Sequence, residues 1–368
     1  MKNKTFAYIK KAILNRYFVQ VVLTVIPTVL LIFIPMQLSF LDPVTRAFNN
    51  FNLTDLYQQF MRNESLRQSN EIYILDIANV KERDHIAHII KDLDDVNPKV
   101  IGLDILFEQR SGALSEEDII LQKTIGRLKN TLIVGYYFTP ENNLKQSFFI
   151  SPESSLKYSG YVNSTVENKY IECLRTFAPR MKVGSTVYDS FALRVVQQYN
   201  PEKECSPTGE FITNYTNASF SIIQPEDISP LLSGKIVLIG SASGYEDLFL
   251  TPVGDLRGVE IHAYNIHNML HNNYIIDVHW LVDMLISMLI GGFAIWFCNF
   301  SEKKFKKTSN FIFNSFLWLY LIVLTFINIC VCHFFRMSIP FTLAFISFVF
   351  ISTACELQNA LYNRKKNI

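Results

Sequence analysis

Residues 235–270 read KIVLIGSASGYEDLFLTPVGDLRGVEIHAYNIHNML, and this stretch decides the fold class. Ile236 to Ile239 form a short continuous apolar run, the pattern of a strand buried on both faces. Gly240-Ser241-Ala242-Ser243-Gly244 is a turn. Glu246 and Asp247 follow, then a Thr251-Pro252 step, and a helix is predicted from near Gly258. Strand, loop and helix in this order are the unit of an α/β layer, whose loops at the carboxyl ends of strands carry function. The glycine-serine turn is the type that cradles phosphate at a helix start. However, Glu246 and Asp247 would repel an anion there, and the P-loop lysine is missing. A nucleophile elbow needs serine at its centre, where this chain has Ala242. The stretch therefore reads as a flexible binding loop, not as a nucleotide or hydrolase motif.

Upstream, the pattern repeats. EIYILDI (71–77) reads as a strand ending in an acid, and 81–93 as a helix with Ile86, Ile89, Ile90 and Leu93 on one side. Asn97-Pro98 stops it. KVIGLDILF (99–107) is a second strand containing Asp104, 116–128 a second helix, and TLIVGYYF (131–138) a third strand. Before these, 47–68 has helical spacing with Phe48, Phe51, Leu56, Phe60 and Met61 on one face. Further on, 160–163 suggests a short strand and 187–198 a helix, while 211–213 and 219–223 suggest a hairpin. Strands alternating with helices of this length predict an α/β domain with a mainly parallel sheet over residues 42–278.

The ends of the chain differ in kind. No charged residue lies between Arg16 and Asp42, and the run 17–41 is long enough to cross a ~30 Å hydrocarbon core. Its length, and the lack of a small-residue cleavage site, favour an uncleaved anchor over a signal peptide. Three further apolar runs occupy 280–300, 311–333 and 338–356. Lysines and arginines cluster in 1–16, in the 301–310 linker (Lys303, Lys304, Lys306, Lys307) and in the tail 357–368 (Arg364, Lys365, Lys366). By the positive-inside rule these segments are cytoplasmic and the middle domain is extracytoplasmic. The expected layout is four transmembrane helices, one before the domain and three after, in a cytoplasmic (inner) membrane with both termini cytoplasmic. Asp283, one turn into its span, reads as an interfacial residue reaching the outer surface, with an intramembrane switch as the alternative.

The net charge of +1 excludes a general nucleic-acid footprint. Four of the six cysteines sit in apolar runs; Cys173 and Cys205 lie in the polar middle, where a disulfide between them is possible in an oxidising compartment. There is no CxxC pair and no HExxH, so zinc has no motif support; no metal or cofactor is expected, with calcium or magnesium on the carboxylates as the alternative. Asp76 and Asp104 fall toward the ends of two strands taken as neighbours by sequence order. With Asp247, Thr251, Glu260 and His262 they are the ligand-binding candidates. The alternative is that each acid caps a turn or pairs with a base. A paired-carboxylate hydrolase is a further alternative. His262 and His267, five apart, fall on different helix faces.

These segments resemble the second class of CHASE domains, extracytoplasmic sensory modules of bacterial membrane receptors. Ile74–Ile77 and Lys99–Phe107 look like the first two strands. Gly240, Asp247, Thr251-Pro252 and Gly258-Val259-Glu260-Ile261-His262-Ala263 occur in family order. The family's Asp-Gly turn between Asn163 and Arg175 is replaced by Glu167-Asn168-Lys169. The resemblance implies a non-enzymatic sensor that passes an unknown signal through the bilayer. The receiver is an unknown cytoplasmic or membrane effector protein, because the chain ends shortly after its last apolar run without an output domain. Homo-oligomerisation is compatible with this reading. A scaffold subunit of an envelope complex is the alternative.

Overall fold

The computed structural model describes residues 16–33, 52–109, 113–150, 158–166, 172–203, 209–244, 247–304 and 309–341, with residues 344, 350, 351, 353, 354 and 357. Two compact units emerge. One is formed by 58–276; the other by 1–57 together with 277–368.

The larger unit is built on a mostly parallel sheet. Its elements, in chain order, begin with helix α2 (Leu53–Ser65), which enters from the other unit, and continue as follows. Strand β1 (Arg67–Asp76) leads into α3 (Arg83–Asp95), and β2 (Val100–Leu103) into α4 (Glu116–Ile125). Then come β3 (Thr131–Phe138), β4 (Leu144–Lys145), β5 (Ser159–Tyr161), β6 (Thr176–Phe177), β7 (Arg180–Val183) and β8 (Thr186–Asp189). Helix α5 (Phe191–Tyr199) precedes β9 (Phe211–Ile212), β10 (Ala218–Ile223) and β11 (Ile236–Gly240). Strands β12 (Leu248–Thr251) and β13 (Gly254–Arg257) end at α6 (Gly258–His271). The strand order is β10-β1-β11-β2-β3-β4, with β5 also on β3. All pairs are parallel except β3 with β4.

The apolar alternation along these strands builds a core on each face. Ile72, Ile74, Ile236 and Leu238 point to one side, where Phe191, Val195, Val259 and Ile266 of α5 and α6 cover them. Leu75, Ile101, Leu103, Val237 and Ile239 point to the other, against Ile86, Ile90 and Leu93 of α3 and Leu121 of α4. Because both faces are covered, β2 and β11 are buried along their whole length, as their continuous apolar runs require. The α3–α4 face is locally secured by Ser115, which caps α4 by accepting from the Asp118 N–H at 3.2 Å. At Gly160 an added Cβ would overlap the backbone of Phe191 at the start of α5. Only glycine lets strand and helix approach so closely.

Several expectations are corrected. The second strand stops at Leu103, so Asp104 lies just beyond it and not inside it. Strands β1 and β2 are not neighbours, because β11 lies between them. The segments 211–213 and 219–223 form no hairpin: β9 pairs with β6, and β10 with β1. The 187–198 helix begins only at Phe191, since Thr186–Asp189 is the second strand of a hairpin. In α2, Phe60 is exposed, and Leu53 and Tyr57 are the buried apolar residues; Phe48 and Phe51 lie outside the described residues.

The smaller unit holds α1 (Arg16–Phe33), α7 (Trp280–Lys304) and α8 (Ser309–Phe335). Among the described residues, two segments are long and apolar enough to cross a membrane, Trp280–Ser301 and Trp318–Phe335. Helix α1 carries Pro27 in its interior. The rest of the expected first span, and most of the expected fourth span at 338–356, fall outside the described residues. Gln20 and Asn299 exchange side-chain amide bonds at 3.3 and 2.6 Å, a buried polar pair that joins α1 to α7. Asp283 is buried, and its carboxylate accepts from the Phe341 N–H at 2.9 Å.

Candidate functional site

Two carboxylates and an imidazole meet at the carboxyl end of β2. Asp104 is the first residue past that strand, and its N–H is held by the Ile239 carbonyl of β11 at 2.9 Å. This places its side chain in the crevice where open parallel sheets keep their ligands. His262 Nε2 approaches Asp104 Oδ2 to 3.8 Å. His262 is 8% exposed, its ring stands edge-on to Phe191 at 5.1 Å, and its buried Nδ1 has no hydrogen-bond partner among the described residues. Asp247 comes from the loop before β12. Its carboxylate occupies the space where a Cβ on Gly258 would lie, so glycine at the first position of α6 is what admits it. The backbone closes the same junction, with Gly258 N–H donating to the Asp247 carbonyl at 3.1 Å.

These groups line a cavity of about 110 Å³. Helix α6 contributes Gly258, Ile261, His262 and Asn265 at helical spacing. The chain after β5 contributes Val162, Asn163, Ser164 and Thr165, and Leu174, Thr176, Phe177 and Phe249 complete the wall. Asn163 is pinned there by a reciprocal amide pair with the Phe138 backbone, both bonds at 2.8 Å. Thr165 and Thr176 join their hydroxyls at 3.0 Å. Asn265 is 1% exposed, and its Oδ1 accepts from the Thr213 hydroxyl at 2.7 Å. Among the described residues no Lys or Arg lines the cavity.

The electrostatics follow from this. Burial raises the Asp104 pKa above its ordinary 3.8; His262 opposes the shift and Asp247 adds to it. No donor within hydrogen-bonding distance of the Asp104 carboxylate occurs among the described residues. Asp76 is the contrast. Burial pushes it up as well, but donors from Ser243, the Ala242 and Ala78 N–H groups and Gln224 win and hold it below 3.8. Its Oδ1 takes Ala242 N–H at 2.8 Å and Ala78 N–H at 3.0 Å.

The six candidates therefore separate. Asp104, Asp247 and His262 converge on the cavity. Asp76 ties the turn after β11 to the end of β1. Thr251 spans the β12–β13 turn, its hydroxyl donating to the Gly254 carbonyl. Glu260 accepts from the Arg257 N–H at 2.9 Å and caps α6. No group of three metal-ligating residues occurs among the described residues. Cys205 lies outside the described residues, and with it the possible pairing with Cys173. Sequence reading overlooked Asn265, although its spacing from Gly258 and His262 put it on the same helix face.

A family model for the CHASE2 domain matches residues 28–297, well over half of the chain. The chain belongs to the CHASE2 family. These are extracytoplasmic sensory domains, and the two long apolar helices agree with a membrane protein. No curated protein and no solved structure matches the chain. In this CHASE2 domain the GSASG turn after β11 is not the pocket floor: its Ala242 N–H is spent on Asp76. The cavity belongs instead to α6 and the chain after β5.

Proposed function

We propose that this chain is a membrane-anchored sensor whose input site is the Asp104–Asp247–His262 cavity and which passes its signal to a separate cytoplasmic or membrane protein. One observation carries this reading: α6 walls the cavity along its first two turns, ends at His271, and the chain reaches the first apolar helix at Trp280. A ligand that favours one position of α6 biases the backbone entering that helix. It can shift the equilibrium only by its differential affinity for the two positions, about 2.7 kcal/mol for a hundredfold preference. In this reading the domain is extracytoplasmic, one span precedes it and three follow, and the termini are cytoplasmic, as the distribution of Lys and Arg supports.

The test blocks the cavity at its exposed rim. Thr165→Trp should leave the amount of membrane-inserted protein unchanged. It should alter the set of proteins marked in cells by a proximity-labelling enzyme fused to the C-terminus. Identical labelling by wild type and Thr165→Trp refutes the input site and fits a constitutive scaffold.

A further inference from the structure

Buried carboxylates in this domain are normally saturated by the protein itself. Asp94 accepts from Lys129 N–H at 3.0 Å, Asn130 N–H at 2.9 Å and the Asn130 amide at 2.7 Å. Asp118 takes Arg83 and the Ser115 N–H. Asp76 takes two backbone N–H groups. Asp104 is the departure. It sits in the cavity wall with His262 at 3.8 Å and no hydrogen-bond donor among the described residues, and Asp247 adds a second carboxylate nearby. A largely buried carboxylate without donors is left short of the hydrogen bonds it has in water. A ligand bringing donors and positive charge restores them.

The other wall groups narrow the choice. The start of α6 would attract an anion, but the Asp247 carboxylate already lies against it. Asn265 is almost wholly buried in the wall, and its Oδ1 is engaged by Thr213. Val162, Ile261 and Phe249 make the remainder apolar. A ~150 Å³ cavity accommodates benzene, so about 110 Å³ suits an aliphatic body slightly smaller than that ring.

We propose that the cavity binds a small primary ammonium compound, its NH₃⁺ group donating to Asp104 and facing Asp247, its short aliphatic part against Val162, Phe249 and Ile261. This rests on the cavity being the sensor's input site and names the ligand class. Binding should weaken as the pH is lowered and Asp104 takes up its proton.

The experiment uses the full chain in nanodiscs and measures binding calorimetrically with n-butylammonium, n-butanol and butyrate as probes. Saturable binding is expected for n-butylammonium. At least tenfold weaker binding is expected for butanol and butyrate, and for n-butylammonium with Asp104→Asn. Asp247→Asn, which leaves Asp104 in place, serves as a second variant and should also weaken n-butylammonium binding. If butyrate or butanol binds as tightly as n-butylammonium, if Asp104→Asn binds it unchanged, or if n-butylammonium does not bind, the ligand class is wrong. The sensor reading fails separately, through unchanged partner labelling by Thr165→Trp.

Discussion

At the residue scale, four aspartates, three of them buried and Asp104 partly exposed, show how one side chain takes opposite roles. Asp76, Asp94 and Asp118 bind backbone or arginine donors and hold loops together. Asp104 has no such donors and is strained electrostatically by its burial. Asp76→Ala leaves two N–H groups without their acceptor and should cost about 2–3 kcal/mol, read as a lower unfolding midpoint of the full chain in detergent. Asp104→Asn should do the reverse, raising stability at neutral pH by about 1 kcal/mol, since it removes a poorly compensated buried charge. The pH dependence has a definite sign. The folded Asp104 pKa lies above 3.8, so the folded state holds the proton more tightly than the unfolded one. Its contribution to stability is full below 3.8 and lost as pH rises through the shifted value. Wild type should therefore gain on Asp104→Asn as the solution is acidified from neutrality, and a constant difference across that range would contradict the assignment. Asp76 and Asp104 look alike in sequence, each an acid at the end of an apolar run. Only the neighbours at Ala242 and His262, more than 150 positions away, tell them apart.

At the element scale, α6 serves the cavity with one face and the core with another. Its periodicity separates His262 from His267, and the structure places His262 in the cavity wall and His267 against Phe220 and His271, at ring distances of 6.2 and 4.5 Å. Burial, with a further push from His271 and against the pull of Glu71, lowers the His267 pKa from 6.5 to about 4. A base depressed in the folded state contributes stability above its unfolded pKa and loses it as pH falls through the folded value. Between pH 6.5 and 4 the wild type should therefore lose about 3 kcal/mol that His267→Gln retains, measured as the pH dependence of the unfolding midpoint. Strands β1, β3 and β11 and helices α3 and α4 were legible because local patterning determines them. The β12–β13 hairpin escaped notice because Thr251-Pro252 reads as loop, and its pairing of Leu248 with Arg257 and Phe249 with Leu256 has no periodic signature. Strand β10 was recognised as a strand but assigned the wrong partner, since its true neighbour β1 lies more than 140 residues earlier.

At the scale of the whole molecule, the basic clusters in the linkers support the orientation proposed above, with the α/β domain outside the cytoplasm. Single cysteines placed at Glu141 and at Lys304, in a background with the native cysteines replaced, test it with a membrane-impermeant maleimide on intact cells. The Glu141 position should react at once, and the Lys304 position only after the membrane is permeabilised; the opposite order would invert the topology.

Composition and periodicity by themselves determined the class of the domain and the acids worth considering, because burial of apolar surface acts through local sequence. The tertiary structure decided that β11 lies between β1 and β2, that Asp76, Thr251 and Glu260 are bound up in turns and caps, and that Asp104, Asp247, His262 and Asn265 share one cavity. Those outcomes depend on contacts between segments far apart in the chain. Whether a carboxylate is structural or open to a ligand turns on which donors the fold brings within about 3 Å of it.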